Sequence, residues 1–598
     1  MKLTDYVADF LAKEGIKYVF GITGGGIVHF ADSLDKNPKT YPIFNHHEQA
    51  SALAAEAYAR VRNDIGAAFV TTGPGGTNAI TGVLAAWLDS VPCIYISGQA
   101  RIEHTSRGKP VRQIGAQEFD ILSLVSHITK YSVMVDDPKK IKYYLQKAAY
   151  IARSGRPGPV WIDLPLNLQW ASVDPDALQG FDASEIKETI LPDYSLDKLE
   201  NRIIDLIKYA KRPIILAGYG IRLAGADKEF KNFIEKYKIP FVSSWNASDL
   251  IPTESNLYAG RIGNAGQRGG NLAIQNCDLL LAIGSHICMT IFGANPLAFA
   301  RESKKIMVDI DPIELGNSTV KVDVPVQSDA RTFLSRMLDK MGPGECLDIN
   351  QWQKKCIKYK SYNAVPKEWK AQKKYVNPYV FIDTLSDKLS EGDVIVVDGG
   401  GTALYMSFQG LKIKKGQRLL VSSAIAAMGT GLPESIGACF ANGKKRTICM
   451  TGDGSIQFNI QELQTIVHHK LPIKIFIFNN SGYLAIRHTQ DGFLKSRYIG
   501  SCAEGGVSLP DFQKVARAYG IKAVRINNHK ELNRKLQQIL RCPGPAVCEI
   551  MISKDQQLIP SVGFDMKPDG TGVPRPLEDM YPYLDRKEFL ENMIVKPL

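Results

Sequence analysis

The strongest constraint on the fold is a pair of apolar runs, each stopped by a distinctive turn, near the C-terminal end of the chain. Arg446-Thr447-Ile448-Cys449-Met450 stops at Thr451-Gly452-Asp453-Gly454-Ser455, and a second run, Ile473 to Phe478, stops at Asn479-Asn480. Between them, Ile460 to Val467 carries helical periodicity. Two short apolar strands joined by a helix make a parallel βαβ unit, which places Asp453 and Asn480 at one edge of a sheet. A carboxylate, an amide oxygen and a backbone carbonyl suit Mg²⁺, which takes few protein ligands and completes its octahedron with phosphate oxygens. Gly452 and Gly454 let the backbone approach phosphates closely. An ordinary βαβ unit with a glycine-rich turn is the alternative, and the paired asparagines at this spacing weigh against it.

A chain of 598 residues is too long for one core and divides into about three or four domains. With 44% hydrophobic and 22% charged residues it has the composition of a globular protein, without a large disordered part. The net charge of +12, from 73 basic and 61 acidic residues, comes with no Lys/Arg block and no nucleic-acid motif. It therefore reads as a diffusely basic enzyme surface with no nucleic-acid partner. Ten cysteines without a C-x-x-C pair point to reduced thiols rather than to a disulfide framework or a zinc site. Met1 to Tyr6 leads straight into an amphipathic helix without a signal peptide, and no apolar run approaches the roughly 18 residues that span a membrane. The expectation is a cytoplasmic protein with no membrane partner.

Residues 1–178 alternate helix and strand patterns, as in a parallel α/β sheet. Thr4 is expected to cap a helix running to Lys13. The strand Tyr18–Ile22 enters Thr23-Gly24-Gly25-Gly26, and further strands are expected at Pro42–Asn45, Ala67–Thr71 and Cys93–Ser97. Glu48 opens a helix, Ala50–Arg60, where the helix dipole favours a carboxylate whatever its function. Residues 176–196 are polar and turn-rich, a linker. Residues 197–342 hold four strands, Pro213–Leu216, Pro240–Ser243, Leu279–Ile283 and Lys305–Ile310. Gly218, Gly220 and Gly284 lie at strand ends, a pattern able to hold an adenine nucleotide. A Lys-rich connection, 343–375, leads to the last unit, 376–555. There Val394–Asp398 runs into Gly399-Gly400-Gly401-Thr402, a backbone nest suited to diphosphate oxygens. Met428 has the ordinary reading of core filler. The tail, 556–598, carries Gly563, Pro568, Gly570, Gly572, Pro574 and Pro576. Such an irregular segment is expected to close over the active site as a lid, so that deleting it abolishes turnover and leaves the fold intact.

The Gly452-Asp453-Gly454 to Asn479-Asn480 element resembles the signature of the thiamine-diphosphate enzymes. Other stretches resemble the acetolactate-synthase group of that family: His47-Glu48-Gln49-Ala50 to Ala57-Tyr58-Ala59-Arg60, Gly73-Pro74-Gly75-Gly76-Thr77-Asn78, Ser97-Gly98-Gln99, Gly155 to Pro165, and Met428-Gly429-Thr430-Gly431-Leu432-Pro433. The resemblance implies an α/β chain of three consecutive doubly wound parallel-sheet domains. These are a pyrimidine-binding domain (1–178), a central domain (197–342) and a diphosphate-binding domain (376–555). It further implies that Asp453, Asn480 and the carbonyl of Gly482 hold Mg²⁺ on the cofactor diphosphate. Glu48 would hydrogen-bond N1′ of the aminopyrimidine, Met428 would sit beneath the cofactor, and the Ala426 carbonyl would accept from the 4′-amine. Gly25, Gly73, Asn78, Gly400, Gly401, Thr402, Gly452, Gly454, Ser455, Tyr483 and Leu484 would complete the cofactor site. The implied reaction is decarboxylation of a 2-oxo acid, pyruvate, and transfer of the two-carbon unit to a carbonyl acceptor. The implied assembly is a homodimer or homotetramer with active sites between subunits.

Four stretches depart from the synthase pattern. Asp120 falls where those enzymes have a glutamine, with Gln117 a possible substitute. Gly400-Gly401-Thr402 replaces Gly-Gln-His. In the central domain Asp309, Asp311 and Glu314 match an FAD-ribose element, yet Gly284-Ser285-His286-Ile287 replaces Gly-x-Arg-Phe, so FAD stays open. After Asn480 the chain reads Ser481-Gly482-Tyr483-Leu484-Ala485-Ile486-Arg487-His488-Thr489-Gln490, with Ala485 and Thr489 in place of Met and Trp and with Arg487 and His488 nearby. A smaller, more polar wall suggests a larger acceptor. The alternatives to a plain acetolactate-synthase-like carboligase are therefore a nucleotide-linked keto-sugar acceptor, as in surface-sugar biosynthesis, and a simple 2-oxo acid decarboxylase.

Overall fold

The computed structural model describes residues 1–187, 191–342, 347–568 and 572–598, with the side chain of Met566 excepted. Residues 188–190 of the expected linker, Cys346 and Gly570 lie outside that description. Three six-stranded sheets follow one another along the chain, and every strand pairing within them is parallel. The first comprises β1 (Tyr18–Gly21), β2 (Tyr41–Phe44), β3 (Gly66–Val70), β4 (Cys93–Gln99), β5 (Tyr131–Met134) and β6 (Pro159–Pro165), in the order β2-β1-β3-β4-β6-β5. The second comprises β7 (Pro213–Ala217), β8 (Phe241–Ser243), β9 (Tyr258–Arg261), β10 (Leu279–Ile283), β11 (Lys304–Asp309) and β12 (Val324–Gln327), in the order β12-β11-β10-β7-β8-β9. The third comprises β13 (Val394–Val397), β14 (Arg418–Val421), β15 (Thr447–Gly452), β16 (Ile473–Asn479), β17 (Lys522–Ile526) and β18 (Ala546–Met551), in the order β14-β13-β15-β16-β18-β17. The α/β expectation of doubly wound parallel sheets holds.

Parallel sheets need helices on both faces, so their strands become apolar throughout rather than alternating. β4, β6 and β16 are buried at every position. The central sheet has a core of its own, whereas one cluster is shared by the first and third sheets. The shared core is built on the helices Glu48–Arg62 and Gly431–Ala441. The first is alanine-rich, and a Cβ on Gly437 of the second would lie 1.9 Å from the Ala54 carbonyl oxygen, so only glycine allows this approach.

Where the three units meet, the Arg60 guanidinium is 2% exposed. It donates to Glu56 at 3.2 Å, to the Val421 carbonyl at 2.9 Å and to Asn246 at 3.0 Å, and it lies 3.8 Å from Asp89. Burial pushes the Glu56 carboxyl up to about 7, against the pull of Arg60.

Thr4 does not cap the first helix. That helix spans Leu3–Lys13 with Lys2 at its N-cap, and the buried Thr4 hydroxyl donates to the Gln169 and His29 carbonyls. The Thr4 side chain ties two segments together instead.

The described part of the tail is docked on the central unit. Gln275 donates to Glu578 at 2.7 Å, Arg268 to the Met580 carbonyl at 3.1 Å and Tyr359 to the Asn592 carbonyl at 2.5 Å. Leu577, Met580, Phe589 and Val595 are buried there. No helix among the described residues is long and apolar enough to cross a membrane.

Candidate active site

In a doubly wound sheet, the crevice for a ligand opens where the strand order reverses. In the third sheet that point lies between β13 and β15. β13 is followed by Gly399-Gly400 and the helix Gly401–Gly410, while β15 is followed by Asp453-Gly454 and a tight turn, Ser455–Asn459. Glycine is required across this junction. A Cβ on Gly400 would lie 2.6 Å from the Ser455 hydroxyl, and one on Gly454 would lie 2.1 Å from the Tyr483 ring. The helix Leu484–Leu494 begins at the same place, and a Cβ on Gly401 would be 3.0 Å from that of Ala485. Two helix N-termini, each with unpaired N–H groups, thus converge beside the Gly452–Gly454 turn, an arrangement made for a phosphate-bearing ligand.

Asp398, at the end of β13, organises this crevice. Its carboxylate is buried and accepts from the Gly400 N–H at 2.8 Å, the Ser455 hydroxyl at 2.5 Å, the Gly431 N–H at 3.0 Å and the Thr451 hydroxyl at 3.0 Å. Burial raises its pKa. The Ser455 hydroxyl also accepts from the Gly429 N–H at 3.0 Å, so Ser455 holds the crevice together from within. Sequence reasoning passed over Asp398; its signal was an acid at a strand end abutting three glycines.

Asp453 is 1% exposed. It accepts from the Gly454 N–H at 2.9 Å, the Asn480 N–H at 2.9 Å and the Gly482 N–H at 3.1 Å. Burial pushes its carboxyl up to about 7 despite these bonds. Among the described residues no basic side chain pairs with it, and no group of three His, Cys, Asp or Glu forms a cage. A buried carboxylate with an amide beside it and no ion pair fits a cation that brings phosphate oxygens for its remaining ligands. Leu484 turns its side chain into the core beneath the third sheet, so only its backbone faces the crevice region.

Across the Gly429 turn, Ala426 adopts a left-handed conformation, with φ 49°, and Met428 is 36% exposed rather than buried as core filler. The Asn459 amide donates both to the Gly429 carbonyl at 2.8 Å and to Gln49 at 3.0 Å. Gln49 adjoins Glu48, the first residue of the helix Glu48–Arg62. Glu462 adds a second link, accepting from Asn45 at 3.0 Å and from the His46 N–H at 2.9 Å. Glu48 itself accepts from the Asn78 amide at 3.0 Å, and Asn78 lies in the helix Pro74–Leu88, which Gly73 starts with φ 67°. The Gln117 carbonyl packs against that turn, 2.3 Å from where a Gly73 Cβ would be. Gln117, not Asp120, is thus the neighbour of the Gly73 turn; Asp120 caps a short helix. Around Gly25 a Cβ would meet open space.

Two residues assigned to the acceptor wall part company. Thr489 is exposed, as is Ile486 on the same helix. Arg487 is turned inward, 5% exposed, beneath the Asn480–Gly482 loop. Helical spacing alone puts Arg487 on the face opposite Thr489.

In the central sheet the order reverses between β7 and β10, where Gly218 and Gly284 meet closely. A cavity of about 310 Å³ opens there, lined by residues of all three units, among them Asp89, Arg156, Tyr219, His286, Asp309 and Ser423. Glu314 accepts from Arg156 at 2.6 Å and contacts His286 at 2.7 Å, and these partners hold its carboxyl down at about 2. The Asp309 carboxyl is pushed up by burial to about 6.

Comparison with known proteins agrees with this architecture in order. Residues 1–124 match the thiamine pyrophosphate enzyme N-terminal TPP binding domain, 201–337 its central domain and 398–550 its C-terminal TPP binding domain. The chain belongs to the thiamine pyrophosphate enzymes, and it is a thiamine-diphosphate-dependent transferase of the carboligase kind. Its relatives include the acetolactate synthase large subunit of Cyanidium caldarium, 33% identical over 93% of this chain and 94% of that one. The Lactococcus lactis large subunit is 32% identical over 94% of each chain. A probable large subunit from Methanocaldococcus jannaschii is 32% identical over 99% and 98%.

Proposed function

We propose that this enzyme uses thiamine diphosphate and Mg²⁺ to decarboxylate pyruvate and to pass the two-carbon unit to a carbonyl acceptor. The observation that supports this best is the convergence of two helix N-termini and the buried Asp453, which no basic side chain among the described residues pairs with, at the switch point of the third sheet. When bound, thiamine diphosphate supplies the electron sink for loss of the carboxylate. The N–H groups of Gly401, Thr402 and Leu484, with the glycines at 400, 452 and 454, would seat its diphosphate. Asp453, Asn480 and Gly482 would hold Mg²⁺ there. Glu48, steadied by Asn78, would hold a proton at N1′ of the pyrimidine. Met428 would support the cofactor from below, with the Ala426 carbonyl accepting from its 4′-amine and with Gly25 and Gly73 leaving room.

The domain divisions at 1–178, 197–342 and 376–555, with a tail at 556–598, belong to the same reading, each of the first three holding one sheet. So does a homodimer or homotetramer with active sites between subunits. Exposed Phe458, Ile486 and Phe493, together with Met428, give the crevice an apolar surround that a second subunit would cover. Of the ten cysteines, the nine among the described residues are all free, which favours a cytoplasmic setting. The cavity at the central sheet is the place an FAD would take. A flavin reading the acidic residues there would have to compete with Arg156 and His286 for Glu314. Visible absorbance of the purified protein distinguishes a flavin-filled cavity from one without flavin.

A larger acceptor, such as a nucleotide-linked keto-sugar, is favoured by one observation. Ala485 spaces the two helices and the exposed Thr489 is small, so these two positions leave room beside the bulkier exposed Ile486 and Phe493. The test is purified protein with thiamine diphosphate, Mg²⁺ and pyruvate, followed for CO₂ and products by NMR. Fast acetolactate formation supports an ordinary synthase. CO₂ release that accelerates on adding a nucleotide keto-sugar supports the larger acceptor, acetaldehyde alone supports a decarboxylase, and unconsumed pyruvate overturns the choice of donor.

A further inference from the structure

Arg487 is a buried cation with an unusual set of partners. It lies in the first turn of the helix Leu484–Leu494, and one nitrogen of its guanidinium, Nη2, donates to the Asn480 side-chain oxygen at 2.8 Å. The same nitrogen donates to the Asn480 backbone carbonyl at 3.0 Å and to the Lys554 carbonyl at 3.0 Å. Among the described residues no carboxylate forms an ion pair with it and its Nε finds no partner. A charge buried at this cost is spent on carbonyl and amide oxygens of two segments, the 480–482 loop and Lys554.

The loop is shaped around that group. A Cβ on Gly482 would stand 2.8 Å from Arg487 Nη1 and 2.1 Å from the Ser501 carbonyl oxygen, so residue 482 carries no side chain partly because the guanidinium fills its space. On its far side the Asn480 amide makes only a long contact, Nδ2 to Asp453 at 3.3 Å. Of the two bonds holding the amide, the one to Arg487 is short and charge-assisted, whereas the one to Asp453 is at the weak end of the range. An asparagine amide presents an oxygen at one end and donors at the other, and only the oxygen can ligate a cation. A guanidinium has donors alone, so it accepts only the oxygen as its neighbour and leaves that oxygen a second lone pair.

Resting on the metal assignment above, we propose that Arg487 is a positioning residue for the metal site. It selects and orients the ligating oxygen of Asn480 and pins the 480–482 loop to the Lys554 carbonyl, just ahead of the tail. Outer partners of metal ligands fix the ligand's orientation in this way, and their loss typically costs about 10–100-fold in metal affinity. A lysine keeps the charge and can donate to Asn480, but its single nitrogen leaves empty the space beside Gly482 that Arg487 Nη1 fills.

The test compares wild type, Arg487→Lys and Arg487→Met. Thiamine-diphosphate binding is titrated against Mg²⁺ by calorimetry, and Mn²⁺ binding in the presence of thiamine diphosphate is read by its EPR signal. Neither readout requires turnover. The expected result is a rise of about tenfold or more in the half-saturating metal concentration for Arg487→Met, with Arg487→Lys in between. Turnover at saturating metal should change far less than the half-saturation point. If Arg487 merely stitches the fold, the variants melt earlier but bind metal as wild type does once folded; that outcome overturns the proposal and leaves the metal assignment standing. Should Arg487→Met fail to fold, Arg487→Lys decides alone, an unshifted metal curve overturning the proposal. A wild-type protein that binds thiamine diphosphate without any divalent cation removes both readings.

Discussion

Replacing Glu48 with glutamine removes one charge and almost no volume, and it separates two roles by size. As an acid at the first position of the helix Glu48–Arg62, Glu48 interacts with the helix dipole, worth about 0.3–1 kcal/mol at a partly exposed site. Glutamine also keeps an oxygen for the Asn78 amide, which donates to Glu48 at 3.0 Å, so that bond survives. The structural loss is thus at most about 1 kcal/mol, a shift of no more than about 4 °C in melting temperature for a domain of this size. As the group proposed to hold a proton at the pyrimidine, Glu48 would contribute what a positioned acid–base group supplies, about 10²–10⁴-fold in turnover. That is about 3–5 kcal/mol of barrier at about 1.4 kcal/mol per tenfold. The assay pairs steady-state pyruvate consumption with a thermal melt, both with saturating thiamine diphosphate and Mg²⁺. The expected outcome is turnover reduced at least a hundredfold with a nearly unchanged melt. Turnover within about threefold of wild type, alongside a small loss of stability, leaves only the dipole role and refutes the catalytic assignment.

Three further outcomes follow from the packing. Arg60→Met leaves the Glu56 and Asp89 carboxylates buried without their cation and should cost about 3–5 kcal/mol, measured by chemical denaturation; a loss below about 1 kcal/mol contradicts the role given to Arg60. With the Glu56 carboxyl raised from 4.5 to about 7, the folded state keeps a proton that the unfolded chain releases across that window. Its contribution to stability therefore falls as pH rises from 4.5 to about 7, more steeply in the variant, and a pH-independent difference between the two proteins contradicts this. Truncation at Pro560 strips Gln275, Arg268 and Asn276 of partners and uncovers the sites of Leu577 and Phe589, so the melting temperature should drop along with turnover. Loss of turnover with an unchanged melt favours instead a tail that acts only as a lid.

Much of this architecture was legible because its functional points coincide with backbone needs. At each reversal of strand order the chain must turn sharply and pass close to a neighbour, and glycine is the residue that permits this; Gly24, Gly26, Gly218, Gly284, Gly400 and Gly454 mark the places in plain sight. What stayed hidden depends on the direction of a side chain. Thr4 looked like a cap because threonine usually caps, but a partner 165 residues away in the chain claimed its hydroxyl. Arg487 looked like part of an acceptor wall because it lies between Ala485 and Thr489, the positions read as that wall, and the turn of a helix carries it to the other face. Asp398 bonds to four groups from three separate stretches, a convergence that exists only once the sheet is formed. The docking of the tail was illegible for a related reason: its carbonyls and Glu578 meet scattered side-chain donors, Arg268, Gln275 and Tyr359, with no periodicity of their own.

The most direct measurement of the central claim is a calorimetric titration of thiamine diphosphate into the wild-type protein and into Asp453→Asn, each with and without Mg²⁺. Asparagine keeps the size of the side chain and removes the charge that the switch-point crevice holds on backbone N–H groups, with no basic side chain among the described residues paired to it. The expected result is saturable binding in wild type only when Mg²⁺ is present, and none in Asp453→Asn under either condition. Equal binding by both proteins, with no dependence on Mg²⁺, would contradict the placement of the cofactor and its metal in this crevice.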